Sequence, residues 1–178
     1  MRNKFDMQLD LLNEQLTHMG ELCEVAINRG TEALKKGDLK QAEVIRADEE
    51  IDQMEKDIER LCLKLLLQQQ PVARDLRQIS AALKMITDME RIGDQASDIA
   101  EIIISENKSE ATDIQTIGQM SESVAKMVRD SVNAYVEKDL ELSRQVMEAD
   151  DAVDRLFEEN KQELINFISD NKGVQGKK

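Results

Sequence analysis

The chain has 178 residues, with 24 Lys or Arg against 37 Asp or Glu and a formal net charge of −13. Apolar residues make up 40% and aromatics 2%, and Pro71 is the single proline; this is enough for a packed core but lacks the aromatic and β-branched runs between Gly and Pro breaks that build strands. The acidic surplus argues against nucleic acid, whose phosphates demand clustered cations, and cations adjoin only at Lys35-Lys36 and Lys177-Lys178.

No apolar leader follows Met1, and no run approaches the roughly 20 apolar residues of a membrane span. A cytoplasmic protein without membrane insertion is therefore expected. Its fold class is all-α, an elongated bundle of long antiparallel helices.

The first helix is carried by Phe5, Leu9, Leu12, Leu16, Met19, Cys23, Ala26, Gly30 and Ala33, which alternate by four and three residues as a packed seam does. At about 1.5 Å per residue it is a rod of roughly 50 Å, which must lie against others of similar length. Lys35-Lys36-Gly37-Asp38 closes it: cations suit a helix C-terminus, Gly37 can turn left-handed, and Asp38 can cap the next helix. A second helix is expected from about Leu39 to Gln69 on the stripe Val44, Ile51, Met54, Ile58, Leu61 and Leu65, ended by Pro71. The third, from about Val72 to Glu106, turns Leu76, Ile79, Leu83, Ile86, Met89, Gly93, Ala96, Ala100 and Ile103 inward. Gly93 costs a helix about 1 kcal/mol against Ala, and suits a place where another backbone or a ligand comes close. The fourth helix, about Asp113 to Glu137, carries Ile117, Met120, Val124, Met127, Ser131 and Ala134. The fifth runs on to about Asn171.

Cys23 and Cys62 fall on apolar faces and are expected to be reduced core thiols. His18 lies off the first seam and should be exposed. Ala47-Asp-Glu-Glu-Ile-Asp52 recurs as Ala149-Asp-Asp-Ala-Val-Asp154, each copy preceded by a restart aspartate, Asp38 or Asp139, and a long helix. The chain thus reads as a three-helix repeat over residues 1–107 and a second, incomplete one of two helices over residues 108–178.

Glu90, Asp94 and Asp98 stand at successive i, i+4 steps, a slanting acidic ridge beside the third core stripe, and Asp48 and Asp52 share that spacing on the second helix. Two explanations compete. One is a solvated acidic face partly neutralised by Arg46 and Arg91. The other is a metal site, whose oxygen-only ligands would select a hard cation such as magnesium, calcium or manganese, or iron. A ferritin-like di-iron site would need Glu-x-x-His pairs, and His18 lies in none.

The stretch Asp88-Met-Glu-Arg-Ile-Gly-Asp-Gln-Ala-Ser-Asp-Ile-Ala-Glu101, with Pro71-Val-Ala-Arg-Asp-Leu-Arg-Gln-Ile79 ahead of it and Ala-Asp-x-x-Ile-Asp before both, resembles the signature helix and lead-in of the PhoU family of phosphate-uptake regulators. The resemblance runs along the whole chain, strongest from Asp48 to Glu101. It implies two related three-helix bundles. It also implies carboxylate-bound metal, in some members a multinuclear iron cluster. Carried over residue by residue, the ligands would be Asp48, Asp52, Glu90, Asp94 and Asp98, with Asp150 and Asp154 matching the acidic pair of the second repeat. The family pattern ends in a second signature helix, and this chain stops near where that helix should begin.

The function so implied is repression of phosphate uptake and of the phosphate regulon when phosphate is plentiful. Its partners would be the cytoplasmic subunits of the phosphate ABC transporter, the sensor histidine kinase and a second copy in a homodimer. No nucleophile-base pair or phosphate-cradling glycine loop stands out, so no enzyme activity is expected. A phosphohydrolase-like metalloenzyme and a metal-free helical scaffold are the alternatives.

Overall fold

A computed structural model describes residues 2–46, 49–68, 71–106 and 115–175. The described elements are all helices: α1 (Arg2–Lys36), α2 (Leu39–Arg46), α3 (Glu50–Gln68), α4 (Ala73–Ser105), α5 (Gln115–Glu137) and α6 (Leu140–Gln175). No described helix is long and apolar enough to cross a membrane.

The expected seam of α1 is the spine of the molecule. Phe5, Leu12, Leu16, Met19, Cys23, Gly30 and Ala33 are buried, and α1 packs against α2, α3, α4 and α5. Gly20 meets Val132, Glu24 pairs with Arg129, and the Thr31 hydroxyl donates to Ser121 Oγ at 2.8 Å. These pairings fall along α5 as they rise along α1, so the two rods are antiparallel. A Cβ at Gly20 would lie 3.0 Å from Val132 Cγ2; the missing side chain is what lets α5 come this close. α6 packs on α5 alone among the described elements.

The expected second helix is two. It stops at Arg46 and restarts at Glu50, with Glu49 outside both and its carbonyl accepting the Gln53 N–H at 3.0 Å. This break resets the helical phase. Val44, seven residues before Ile51, would share its face in a continuous helix; instead Ala42 and Ile45 are buried and Val44 is exposed. Leu76, expected inside, is also exposed, because it lies in the first turn of α4 where the bundle ends. On α5 the buried positions include Ser121, Ala125, Val132 and Ala134. The larger Ile117, Met120, Val124 and Met127 are only half-buried and Ser131 is exposed, so the tight contact with α1 selects small residues over apolar ones.

Two hydrophobic clusters result. Bulky residues of α1, α3 and α4, including Leu16, Met19, Ile58, Leu65, Ile79 and Ile86, pack together with Val132 of α5. Beyond them Ala33, Ala42, Ile45, Ala96, Ala100 and Ile103 form a second, alanine-rich cluster. Where the two meet, a Cβ at Gly93 would lie 3.1–3.3 Å from Cδ1, Cγ2 and Cβ of Ile51, so α3 and α4 touch through the missing side chain.

Buried polar atoms tie helices together. The Tyr135 hydroxyl donates to the Gln78 carbonyl at 2.9 Å, and desolvation pushes it up to about 12. Cys23 and Cys62 are free and buried. The Cys23 thiol donates to the Met89 carbonyl at 3.4 Å, and desolvation pushes it up to about 12, so it stays protonated.

Both helix restarts use one device. Gly37 has φ 64° and Lys138 φ 59°, and the following amides, Asp38 and Asp139, donate back to the Ala33 and Ala134 carbonyls at 3.0 and 2.9 Å. Asp38 Oδ1 then accepts from the Gln41 amide, and Asp139 Oδ1 from those of Glu141 and Leu142. These are left-handed C-terminal closures followed by N-caps. The expected repeat is thus visible in its turns. It diverges beyond them, since α6 runs unbroken through Ala149–Asp154.

Substitutions at the turns and at the close contact probe these features. Lys138→Gly relieves a left-handed conformation that a side chain resists and is expected to raise unfolding free energy by about 0.5–1 kcal/mol in a urea titration, with Gly37→Ala lowering it by a similar amount. Gly93→Val should cost about 1–3 kcal/mol by overpacking against Ile51; an unchanged urea midpoint would show that α3 and α4 are not held together there.

Candidate metal centre

The Gly93–Ile51 contact sets the geometry of the acidic residues around it. Asp52 follows Ile51 on α3, and Glu90 and Asp94 flank Gly93 on α4. One carboxylate oxygen from each of Asp52, Glu90 and Asp94 lies within 4.8 Å of the other two. Asp52 and Glu90 are half-buried and Asp94 is exposed. Among the described residues no other trio of His, Cys, Asp or Glu comes together in this way.

Their electrostatics are unbalanced. Glu90 is held above the usual carboxylate range, first by desolvation and then by the negative charges of Asp94, Glu55 and Asp52, with Arg91 opposing only weakly. Arg91, expected to neutralise the ridge, instead lies 3.5 Å from Asp88. Arg46, expected to do the same, lines the cleft of about 420 Å³ beside the trio and makes no ion pair among the described residues. Glu55 was not singled out from the sequence. It stands three residues beyond Asp52, a spacing that shares a helical face, and that was the available signal.

The donor set suits a hard cation. Metal–oxygen bonds of about 2.0–2.6 Å let one ion reach oxygens about 4–5 Å apart, and three carboxylates with neither thiolate nor imidazole favour magnesium, calcium, manganese or iron. Such an ion would lie at the mouth of the cleft floored by Leu22, Ala26, Ile45 and Ile51. The chemistry it would supply is charge neutralisation and a template that locks α3 to α4.

The remaining candidate ligands are placed differently. Asp98, one further i, i+4 step along α4, is exposed and outside the trio. Each such step turns about 40° about the helix axis, so two steps from Glu90 carry Asp98 away from α3. Asp48 lies outside the described residues. Asp150 and Asp154 are exposed on α6, which has only α5 against it among the described elements. His18 is exposed, as expected, with Nδ1 3.6 Å from Glu21 Oε2.

The model of the PhoU domain matches residues 16–103 and again 117–176. The phosphate-specific transport system accessory protein PhoU homolog of Clostridium acetobutylicum is 41% identical over 174 residues, covering 96% of this chain and 80% of the relative. Its counterpart in Aquifex aeolicus is 39% identical over 167 residues, covering 93% and 76%. The crystal structure of PhoU from Pseudomonas aeruginosa superposes with a TM-score of 0.85 at 31% identity, over 96% of this chain and 84% of that one. On sequence and on fold alike, the chain belongs to the PhoU family.

Proposed function

We propose that the chain is a cytoplasmic, metal-dependent regulator of phosphate homeostasis. It acts as an adaptor between the phosphate-specific ABC transporter and its sensor histidine kinase, and represses uptake and the phosphate regulon when phosphate is plentiful. The observation that carries the metal part is the convergence of Asp52, Glu90 and Asp94 from two helices with no ion pair to any of the three among the described residues. Support for the transporter part comes from relatives named as accessory proteins of the phosphate-specific transport system. The adaptor requires no reaction. It requires preferential binding to one state of transporter or kinase, since a ligand shifts an equilibrium only by its difference in affinity.

A metal on the trio would couple α3 to α4 and hold the helix break at Glu49 in one arrangement. Metal occupancy would thereby set the surface that a partner meets. In cells lacking their own regulator and carrying a phosphate-regulon reporter, the wild-type chain is expected to restore repression at high phosphate, and Asp52→Asn with Asp94→Asn to lose it at unchanged protein level. A reporter that stays active with the wild-type chain contradicts the adaptor reading. Repression by the double variant contradicts the metal requirement.

The pH dependence has a defined sign. A folded-state value raised above the unfolded one means that the native state holds the Glu90 proton more tightly. The contribution of Glu90 to the stability of the metal-free protein is therefore present in full below the ordinary carboxylate range and is lost as pH rises from there through the raised value. Glu90→Gln removes this loss and eases like-charge repulsion, and should stabilise the metal-free protein at pH 7 by about a few tenths of a kcal/mol. The gain vanishes in acid and reverses with saturating manganese. Urea melts at pH 4 and 7, with and without manganese, check all three.

A further inference from the structure

The end of α3 and the start of α4 carry an inverted charge. From Arg60 to Arg77 the chain holds four cations, Arg60, Lys64, Arg74 and Arg77, and one anion, Asp75, in a protein of net charge −13. Arg60 is committed to Asp57, whereas Lys64, Arg74 and Arg77 are exposed and make no ion pair among the described residues. Asp75 is half-buried in the first turn of α4, where a carboxylate faces the helix N-terminus.

Between these cations stand aliphatic side chains that the core does not use. Leu67 is 82% exposed and Val72 65%, with Leu63 and Leu76 also exposed. Leu63, Lys64 and Leu67 lie in the last two turns of α3, Val72 is the N-cap of α4, and Arg74, Leu76 and Arg77 lie in its first two turns, so these residues gather at one end of the hairpin as an exposed apolar tip with a basic rim. Asp52 lies fifteen residues before Leu67 on the same helix, about 22 Å away at the helical rise, more than two Debye lengths at physiological salt. The acidic trio therefore does not cancel the field of the tip.

We propose that this hairpin tip is the docking surface for a protein partner presenting an acidic rim around an apolar groove, and, resting on the function proposed above, that this partner is a cytoplasmic face of the phosphate transporter. Charge complementarity selects the partner. A basic patch on an otherwise acidic protein orients encounter with an acidic surface and repels contact made through any other face. A lipid surface fits less well. Clusters that bind anionic bilayers carry four to eight cations, and three unpaired ones here face the repulsion of the remaining negative charge.

The test uses the full chain and purified phosphate transporter in nanodiscs of zwitterionic phosphatidylcholine. Dissociation constants are compared for wild type, Arg74→Glu/Arg77→Glu, Leu67→Ser, and the control Arg155→Glu, an exposed position further along α6. The tip variants are expected to weaken binding at least ~10-fold while the control binds as wild type, and wild-type binding should fall steeply with salt. Matching melting curves for all four proteins exclude misfolding, which these exposed positions do not invite. Equal binding by wild type and tip variants overturns the docking surface and leaves the adaptor function standing. Absence of wild-type binding removes the transporter partnership and this surface with it. Tip-dependent binding to phosphatidylglycerol vesicles without binding to the neutral nanodiscs overturns the protein partner in favour of lipid.

Discussion

The contact of the Ile51 side chain of α3 with the bare backbone at Gly93 of α4 is the constraint on which the rest of the centre depends. It draws two helices together along one line and, with them, carboxylates that would otherwise keep apart. The Glu90 carboxyl registers the consequence, held above its usual range by desolvation and by Asp94, Glu55 and Asp52. A helical bundle gains nothing from assembling like charges at partly buried positions. A cation shared by the three carboxylates, as proposed, would give that arrangement a physical purpose.

The location of the centre also follows from packing. Bulky aliphatics predominate along the first half of the inward stripe of α4 and alanines along the second, and the cleft opens at the change between them, beside the break at Glu49. A bundle packed with uniformly large residues would leave no such opening. The same economy appears on α5, where Gly20 opposite Val132 brings two rods close and the Glu24–Arg129 pair fixes their register.

Much of this was legible in the sequence, and the failures have identifiable causes. The α1 seam was readable because its positions are apolar at helical spacing, whereas the positions that meet α5, Gly20, Glu24 and Thr31, carry no such pattern. The left-handed closure at Gly37 was readable from Gly-Asp after two lysines, whereas at Lys138 the restart was readable from Asp139 but the left-handed conformation was not, because a lysine rarely adopts it. The break before Glu50 left no mark, because Ala47-Asp-Glu-Glu50 contains neither Gly nor Pro and reads as continuous helix. On α5 hydrophobicity misled, since Ser121 and Ala125 are buried for their size while Ile117 and Met120 lie to the side. In the centre, the spacing of Glu90 and Asp94 announced one face of a helix. That Asp52 would meet them depended on the relative rotation of two helices, which spacing along one helix does not encode. The family resemblance pointed the same way, and it ties this chain to proteins named for phosphate transport.

The central claim is that Asp52 of α3 and the Glu90–Asp94 pair of α4 share one cation. Titration of the purified, metal-stripped chain with manganese, following the free ion by electron paramagnetic resonance, addresses it directly. Asp52→Asn leaves every α4 carboxylate in place. This single change on the opposite helix is expected to weaken the tightest site by about tenfold or more, as loss of a carboxylate ligand should. Manganese binding identical in the two proteins would mean that α3 contributes no ligand and that the carboxylates converge without sharing an ion.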